Sequence, residues 1–213
     1  MLSLADRRLY GIVDLGYLAP GEEAIVAITQ VMLDGGIDIL QLRAKGFPPE
    51  TITRLGRAML PLTRSAGVPL IINDHARIAA DIDADGVHLG QDDGDLDEAR
   101  AILGSGKFVG RSTHSPVQAG SARDEGADYI GFGPIFATPT KPGRPAIGSG
   151  DIAAVHAELG AGFPIYCIGG IKSDNASALV AAGARRLVIV SGLLQAADIP
   201  GYIREVKSLL PTR

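Results

Sequence analysis

The chain has 213 residues, and its 20 basic and 24 acidic side chains give a formal net charge of −4. Apolar residues make up 46% of the chain and charged residues 21%, a mixture that can bury a core and does not indicate disorder. The acidic balance argues against a general nucleic-acid-binding protein, which usually carries a basic patch or stripe.

The chain carries no pattern typical of a secreted or membrane protein. The first residues, MLSLADRRLY, lack an apolar core of signal-peptide length, and no apolar run is long enough to span a bilayer. The one cysteine, Cys167, excludes an internal disulfide, and its apolar surroundings favour a small buried side chain over a catalytic thiol. We expect a soluble, cytoplasmic protein with no membrane and no nucleic acid among its partners.

A repeated pattern predicts the order of the strands. Four segments place a small residue and a polar residue before an apolar strand, and they recur roughly every 45 to 55 residues. Each interval is long enough for two strand–helix units. The predicted strands lie within 9–14, 35–43, 69–74, 83–90, 107–113, 125–133, 164–170 and 182–192. The predicted helices lie at 22–34, 49–66, 76–80, 95–103, 116–125, 151–159, 174–182 and 201–210.

Eight short, apolar strands that alternate with helices predict a parallel sheet. A closed eight-stranded barrel, the (β/α)8 or TIM barrel, fits the number of strands, and an open doubly wound sheet is the alternative. No break in composition marks a linker, so we expect one α/β domain over residues 1–213.

The predicted second strand ends in QLRAK, which places Gln41, Arg43 and Lys45 on one side of an extended chain. Two cations after an apolar strand suit a polyphosphate, with arginine as a fork and lysine as a point charge. An ion-pair face at the surface is the alternative. A surface ion-pair face is less expected in a fully buried parallel strand, so we favour an anion site.

Polar residues after the third and fourth predicted strands indicate a metal. Asn73, Asp74 and Asp93 fall there, and Mg²⁺ is typically held by one or two carboxylates and substrate phosphate oxygens. Capping of the next helix is the competing role, but Asp95 is nearer the start of that helix. For Asp92 two roles remain open, namely support of the metal site and a solvated charge at the surface.

Glycine and serine follow the last two predicted strands, at Gly169–Gly170 and Ser191–Gly192. Loops at this place in a barrel of this class frequently bind phosphate, although turn glycines are the simpler alternative. The histidines do not have the spacing of a zinc site. We expect His156 on a helix surface, whereas ligand contact and buried hydrogen bonding stay open for His88 and His114.

The long segment GFGPIFATPTKPGRPAIG, residues 131–148, follows the sixth predicted strand and carries two cations, Lys141 and Arg144. Loops of this length in compact proteins are often functional. The segment lies between a predicted diphosphate–metal site and a predicted monophosphate site. Two phosphorylated substrates that face each other suggest group transfer with diphosphate as the leaving group.

The motifs QLRAK, IIND, GVHLGQDD, GRSTHS, GPIFATPTKPG, IGGI and VSG occur in this order over nearly the whole chain. Together they resemble the thiamine phosphate synthase family. The resemblance implies a (β/α)8 barrel that joins hydroxymethylpyrimidine diphosphate to hydroxyethylthiazole phosphate, or to its carboxylated form, and releases diphosphate with the help of Mg²⁺. It also implies a dissociative reaction without a protein nucleophile, and it allows a homo-oligomer.

The resemblance further implies a role for each matching residue. Pyrimidine diphosphate binding falls to Gln41, Arg43, Lys45 and Asn73, with His88 and Tyr129 around the pyrimidine ring, Ser112 and Lys141 on the diphosphate, and Asp74 and Asp93 on Mg²⁺. The thiazole phosphate falls to Thr138, Thr140, Gly170, Val190 and Ser191. The catalytic residues are then Arg43, Lys45, Ser112 and Lys141.

Two other functions compete with this one. The related thiazole tautomerase, an isomerase on the same fold, would use His114 as its base, but that relative looks degraded in the loop where Thr138, Thr140 and Lys141 are all present here. A non-catalytic sensor of phosphorylated ligands would not need both acids and all the cations.

Overall fold

The computed structural model describes residues 2–138 and 145–212, and within them eight parallel strands close into a barrel. The strands follow one another around the barrel in chain order, and β1 pairs with β8 to close it. They are β1 Leu9–Asp14, β2 Ile39–Arg43, β3 Leu70–Asn73, β4 Gly86–Leu89, β5 Phe108–Thr113, β6 Tyr129–Phe132, β7 Ile165–Cys167 and β8 Leu187–Ile189. The predicted (β/α)8 barrel is confirmed, and the alternative of an open sheet is wrong.

A helix follows each strand, and most lie within a residue or two of their predicted bounds. The helices are α1 Glu22–Asp34, α2 Pro49–Ser65, α3 Ala76–Asp81, α4 Leu96–Leu103, α5 Pro116–Asp124, α6 Ile152–Leu159, α7 Ser173–Ala181, α8 Ser191–Leu194 and α9 Ile199–Leu209. The short helix α8 was not predicted, because four residues are too few to show a helical period. In the described ranges, none of these helices is both long and apolar enough to cross a membrane.

The strands are buried on both faces, and alternate residues enter two separate cores. Leu9 and Val13 of β1 belong to the larger core between the sheet and the helices, whereas Tyr10 and Ile12 belong to the core inside the barrel. In β7, Cys167 packs outward and burial raises the pKa of its thiol to about 12, which fits the predicted inert side chain. The apolar runs that predicted buried strands therefore supply both cores.

The start of α4 settles which aspartate caps it. The Asp95 carboxylate accepts hydrogen bonds from the backbone N–H groups of Asp97 and Glu98, at 2.8 and 3.1 Å. These bonds satisfy two amides that a helix leaves unpaired at its first turn. Capping is therefore the role of Asp95, and Asp93 is not needed for it.

His156 is a correction to the sequence interpretation, which placed it on a helix surface. It is 9% exposed and lies on the buried face of α6 with Ile152, Val155 and Leu159. Its Nε2 has no hydrogen-bond partner among the described residues. Burial, with a further contribution from the Arg185 and Arg186 guanidinium groups, lowers the pKa of His156 from 6.5 to about 4.

This buried imidazole predicts a loss of stability in mild acid. Between pH 6.5 and about pH 4 the unfolded chain binds a proton at His156 that the folded protein does not accept. The free energy of unfolding therefore falls as the pH falls through this window, by up to about 1.4 kcal/mol per pH unit from this residue. We expect His156→Leu to flatten the decline in Tm between pH 6.5 and 4.5, measured by circular dichroism. Equal slopes in the variant and the wild type would contradict this role.

Candidate active site

A cavity of about 890 Å³, measured out to its open mouth, lies at the carboxyl ends of the strands. This is the face where barrels of this class place their active sites. Ten of the residues predicted to bind substrate line it: Gln41, Arg43, Asn73, His88, Ser112, Tyr129, Thr138, Gly170, Val190 and Ser191. Lys45, Asp74 and Asp93 are not part of this lining, and Thr140 and Lys141 lie outside the described residues.

One wall of the cavity is a continuous series of polar contacts between side chains. The Gln41 amide nitrogen lies 2.6 Å from the Tyr10 hydroxyl, which lies 3.3 Å from the Tyr129 hydroxyl. Tyr129 in turn contacts His88 Nδ1 at 3.2 Å, and His88 Nε2 contacts the Ser112 hydroxyl at 3.0 Å. The wall thus combines hydrogen-bond donors and acceptors with the aromatic rings of Tyr10, Tyr129 and His88.

Three tyrosines form the inner end of the cavity. The Tyr166 ring stands nearly perpendicular to those of Tyr10 and Tyr129, with centroids 5.6 and 5.7 Å apart, the edge-to-face arrangement that aromatic rings prefer. Tyr166 donates a hydrogen bond to the Arg7 carbonyl oxygen at 3.0 Å. A side chain at Gly110 would place its Cβ 2.2 Å from the Tyr129 ring, so the ring keeps its position only because this residue is glycine.

Arg43 lines the cavity and also forms a buried ion pair. Its Nη1 donates to Oδ2 of Asp14 at 2.8 Å, and Asp14 is 1% exposed. The second carboxylate oxygen of Asp14 accepts from the Gly16 backbone N–H at 2.9 Å. Arg43 therefore has a structural partner, as the ion-pair alternative required, but the pair is buried at the cavity and not on an outer surface. An arginine held this way is pre-oriented and keeps further N–H donors for an anion.

The two predicted metal ligands meet at one cation. Lys45 Nζ lies 3.6 Å from Oδ2 of Asp74 and 3.5 Å from Oδ1 of Asp93. Lys45 follows the end of β2 and its side chain is 57% exposed, whereas those of Asp74 and Asp93 are more buried. Both carboxylates therefore lie close to the same ammonium group, and their negative charges favour a cation at this position.

The backbone around these carboxylates is specialised. Asp74 has φ = +65°, a left-handed conformation that non-glycine residues seldom adopt, and its N–H donates to the His88 carbonyl oxygen at 2.9 Å. A Cβ at Gly90 would lie 2.2 Å from Oδ2 of Asp93. Unusual backbone conformations of this kind concentrate at functional sites.

The donor set fits Mg²⁺ better than a metal held by protein alone. No group of three or more His, Cys, Asp and Glu side chains suited to a metal occurs in the part of the chain that the structure describes. Two carboxylates that each lie within 3.6 Å of Lys45 Nζ would leave coordination positions on Mg²⁺ for phosphate oxygens and water, which is the usual way this ion is bound.

The glycines after β7 have a packing function of their own. The backbone N–H groups of Ile135 and Phe136 donate to the carbonyl oxygens of Ile168 and Gly169, at 2.8 and 3.0 Å. A Cβ at Gly169 would approach Pro134 to 2.4 Å. Close approach of the loop after β6 thus explains this glycine, and the predicted phosphate contact at Gly170 stays a prediction.

His114 lies on the cavity lining with its ring fixed by the backbone. The ring Nδ1 contacts the Gly133 carbonyl oxygen, and the backbone N–H of His114 donates to Oε1 of Gln118 at 2.8 Å. Nδ1 must carry a hydrogen to donate to a carbonyl oxygen, which leaves Nε2 as the acceptor in the neutral ring.

Sequence reasoning missed three residues of the site, namely Tyr10, Asp14 and Tyr166. Tyr10 and Asp14 share the inner face of β1 with Ile12, since alternate residues of a strand point to the same side. A carboxylate at the end of an apolar strand was the signal that could have identified Asp14. Tyr166 stood out in the sequence only as a bulky residue within IYCIGG.

Comparisons with known proteins agree on one family. The sequence profile described as thiamine monophosphate synthase matches residues 9–193. The thiamine-phosphate synthase of Thermus thermophilus is 46% identical over 188 residues, which cover 88% of this chain and 90% of that protein. That of Halalkalibacterium halodurans is 38% identical over 211 residues, or 99% and 98% of the two chains. The solved structure of thiamine phosphate pyrophosphorylase from Pyrococcus furiosus is similar with a TM-score of 0.84 and 28% identity, covering 96% of both chains.

Proposed function

This chain belongs to the thiamine monophosphate synthase family, and we propose how the residues of its cavity carry out the synthase reaction. The activity is that of a thiamine-phosphate synthase, a transferase of a pyrimidinylmethyl group. Its substrates are hydroxymethylpyrimidine diphosphate and hydroxyethylthiazole phosphate, and its products are thiamine phosphate and diphosphate.

The observation that carries the assignment of roles is the arrangement of β2. Gln41 and Arg43 are two residues apart on this strand and both line the cavity. Gln41 has an amide suited to the polar edge of a pyrimidine, whereas Arg43 has a guanidinium suited to phosphate oxygens. A ligand with a base at one end and a diphosphate at the other fits this order along the strand.

Arg43, Lys45 and Ser112 bind the diphosphate in this proposal, and Asn73 supports it from the end of β3. Asp74 and Asp93 hold Mg²⁺, which supplies positive charge to the diphosphate oxygens when it is bound. Lys45 then moves from the two carboxylates to the phosphate, since its exposed side chain is long and flexible.

The chemistry needs no nucleophile from the protein. The bond between the pyrimidine methylene carbon and the diphosphate oxygen breaks, and its electron pair leaves with the diphosphate. The thiazole nitrogen then donates its lone pair to the methylene carbon and becomes positively charged. Arg43 and Lys45 favour this step because they interact more strongly with the leaving group as its negative charge grows.

The acceptor occupies the other side of the cavity. Thr138, Gly170, Val190 and Ser191 line that side and contact the thiazole phosphate in this proposal. The aromatic inner end excludes water from the reacting carbon, so that hydrolysis of the pyrimidine cation is suppressed.

The direct test is formation of thiamine phosphate by the purified protein, followed by chromatography with fluorescence detection after oxidation to thiochrome phosphate. We expect product only when both substrates are supplied together with Mg²⁺. Absence of product under these conditions would contradict the proposal.

A further inference from the structure

The polar wall of the cavity forms a relay of five side chains joined end to end. We use the name hydrogen-bond relay for Gln41, Tyr10, Tyr129, His88 and Ser112, in this spatial order. All five line the cavity, and the two ends are the residues placed above at the pyrimidine and at the diphosphate. The relay therefore connects the two ends of one substrate through the protein.

The number of protons in the relay limits the directions in which its members can donate. Burial raises the pKa of both Tyr10 and Tyr129, so that each hydroxyl keeps its single proton at neutral pH. A neutral imidazole has one donor nitrogen and one acceptor nitrogen, and His88 places one of its two nitrogens against each neighbour in the relay. A tyrosine hydroxyl can accept from both neighbours but can donate to only one. When His88 donates to Ser112, Tyr129 must therefore donate to His88, Tyr10 must donate to Tyr129, and Gln41 must donate to Tyr10.

In the outward direction, Gln41 donates to Tyr10 and every later residue donates to the next. Ser112 then has its own O–H group available for the cavity. In the inward direction Ser112 donates to His88, and Tyr10 donates to the carbonyl oxygen of Gln41. A negatively charged ligand at Ser112 needs a donor, so an anion there selects the outward direction.

The direction of the relay decides what Gln41 offers to the pyrimidine. Tyr10 is the one hydrogen-bond partner of this side chain among residues 2–138 and 145–212. In the outward direction, Oε1 and one N–H remain for the ligand. In the inward direction the amide is flipped, so that Oε1 accepts from Tyr10 and both N–H donors are left for the ligand.

We propose that the hydrogen-bond relay couples an anion at Ser112 to the amide orientation of Gln41, and so makes the site select an aminopyrimidine over an oxopyrimidine. An amino group beside a ring nitrogen offers a donor and an acceptor, which match Oε1 and N–H of Gln41 in the outward direction. An oxo group beside a ring N–H offers the reverse pattern and matches poorly. Tyr10 and Tyr129 are positioning residues in this account. It rests on the proposed function, in which Ser112 contacts the diphosphate.

The test uses two uncharged probes that differ at one position. These are 4-amino-5-hydroxymethyl-2-methylpyrimidine and its 4-oxo counterpart, and calorimetry gives the Kd of each with and without inorganic diphosphate and Mg²⁺. In the wild type we expect diphosphate to increase the preference for the amino probe roughly tenfold, the effect of about one well-formed hydrogen bond. Tyr10→Phe and Tyr129→Phe each interrupt the relay, so in either variant diphosphate should leave the preference unchanged.

Tyr166→Phe is the matched control. It removes a buried hydroxyl from the same group of rings, but that hydroxyl donates to the Arg7 carbonyl oxygen and lies outside the relay. This variant should keep the wild-type response to diphosphate.

Two results would overturn the proposal. One is a wild type whose preference does not respond to diphosphate, and the other is an undiminished response in a folded Tyr10→Phe or Tyr129→Phe variant, with folding checked by thermal melts. The same wild-type preparation is assayed for thiamine phosphate. Product without coupling rejects the relay alone, whereas coupling without product rejects the proposed function alone.

Discussion

Asp93→Asn is expected to lower kcat for thiamine phosphate formation by roughly 100-fold, which corresponds to about 2.7 kcal/mol of activation free energy. The substitution keeps the shape of the side chain and removes the negative charge that, with Asp74, faces Lys45. One carboxylate binds Mg²⁺ more weakly than two, so the variant should also need a higher Mg²⁺ concentration for half its maximal rate. Steady-state kinetics at several Mg²⁺ concentrations measures both effects.

Asp95→Asn is the control for this prediction. It removes the same charge two residues away, and asparagine caps a helix about as well as aspartate. Its kinetics should stay close to those of the wild type. If Asp93→Asn were as active as Asp95→Asn across the Mg²⁺ series, Asp93 would have no part in binding the metal.

Arg43→Met should reduce both the rate of the reaction and the stability of the protein. It removes a diphosphate contact, and we expect kcat/KM to fall at least 100-fold, since an ionic hydrogen bond of this kind is worth several kcal/mol where water is excluded. It also leaves the Asp14 carboxylate buried without its partner, which typically costs about 3–5 kcal/mol of unfolding free energy. Urea denaturation and steady-state kinetics measure the two losses separately.

The double variant Asp14→Asn with Arg43→Met separates the two roles of the arginine. Removing the buried charge should restore much of the unfolding free energy, because the unpaired carboxylate is its main cause of loss. The double variant should still be nearly inactive, since no guanidinium is present for the diphosphate. Recovery of activity together with stability would show that Arg43 acts only through its ion pair with Asp14.

The barrel could be predicted from the sequence because its strands repeat one local pattern. Each strand is apolar on both faces, and the polar residues fall at the carboxyl end, as in QLRAK and GVHLGQDD. Alternation along β2 was enough to place Gln41 and Arg43 on the same side. Both the apolar strands and the alternation along β2 are set by residues that are close together in the sequence, so the sequence alone predicts them.

The missed parts of the site depend on contacts between distant residues. Asp14 and Arg43 face each other because β1 and β2 pair in that register, which the sequence does not state. Tyr10 and Tyr129 are 119 residues apart and meet only when the barrel closes. His156 is different, because Ile152, Val155 and Leu159 have the spacing of one helix face that includes it. The helical spacing of these residues predicts that His156 is buried. We placed it on the surface because histidine is generally polar.

Formation of thiamine phosphate by this protein should depend on the concentration of free Mg²⁺. The purified protein is given hydroxymethylpyrimidine diphosphate and hydroxyethylthiazole phosphate, first with Mg²⁺, then with excess chelator, and then with Mg²⁺ restored. We expect product with Mg²⁺, a fall in the rate of at least 100-fold under chelation, and recovery of the rate when the ion is returned. Undiminished formation of thiamine phosphate after full chelation, or no product in any condition, would contradict this expectation.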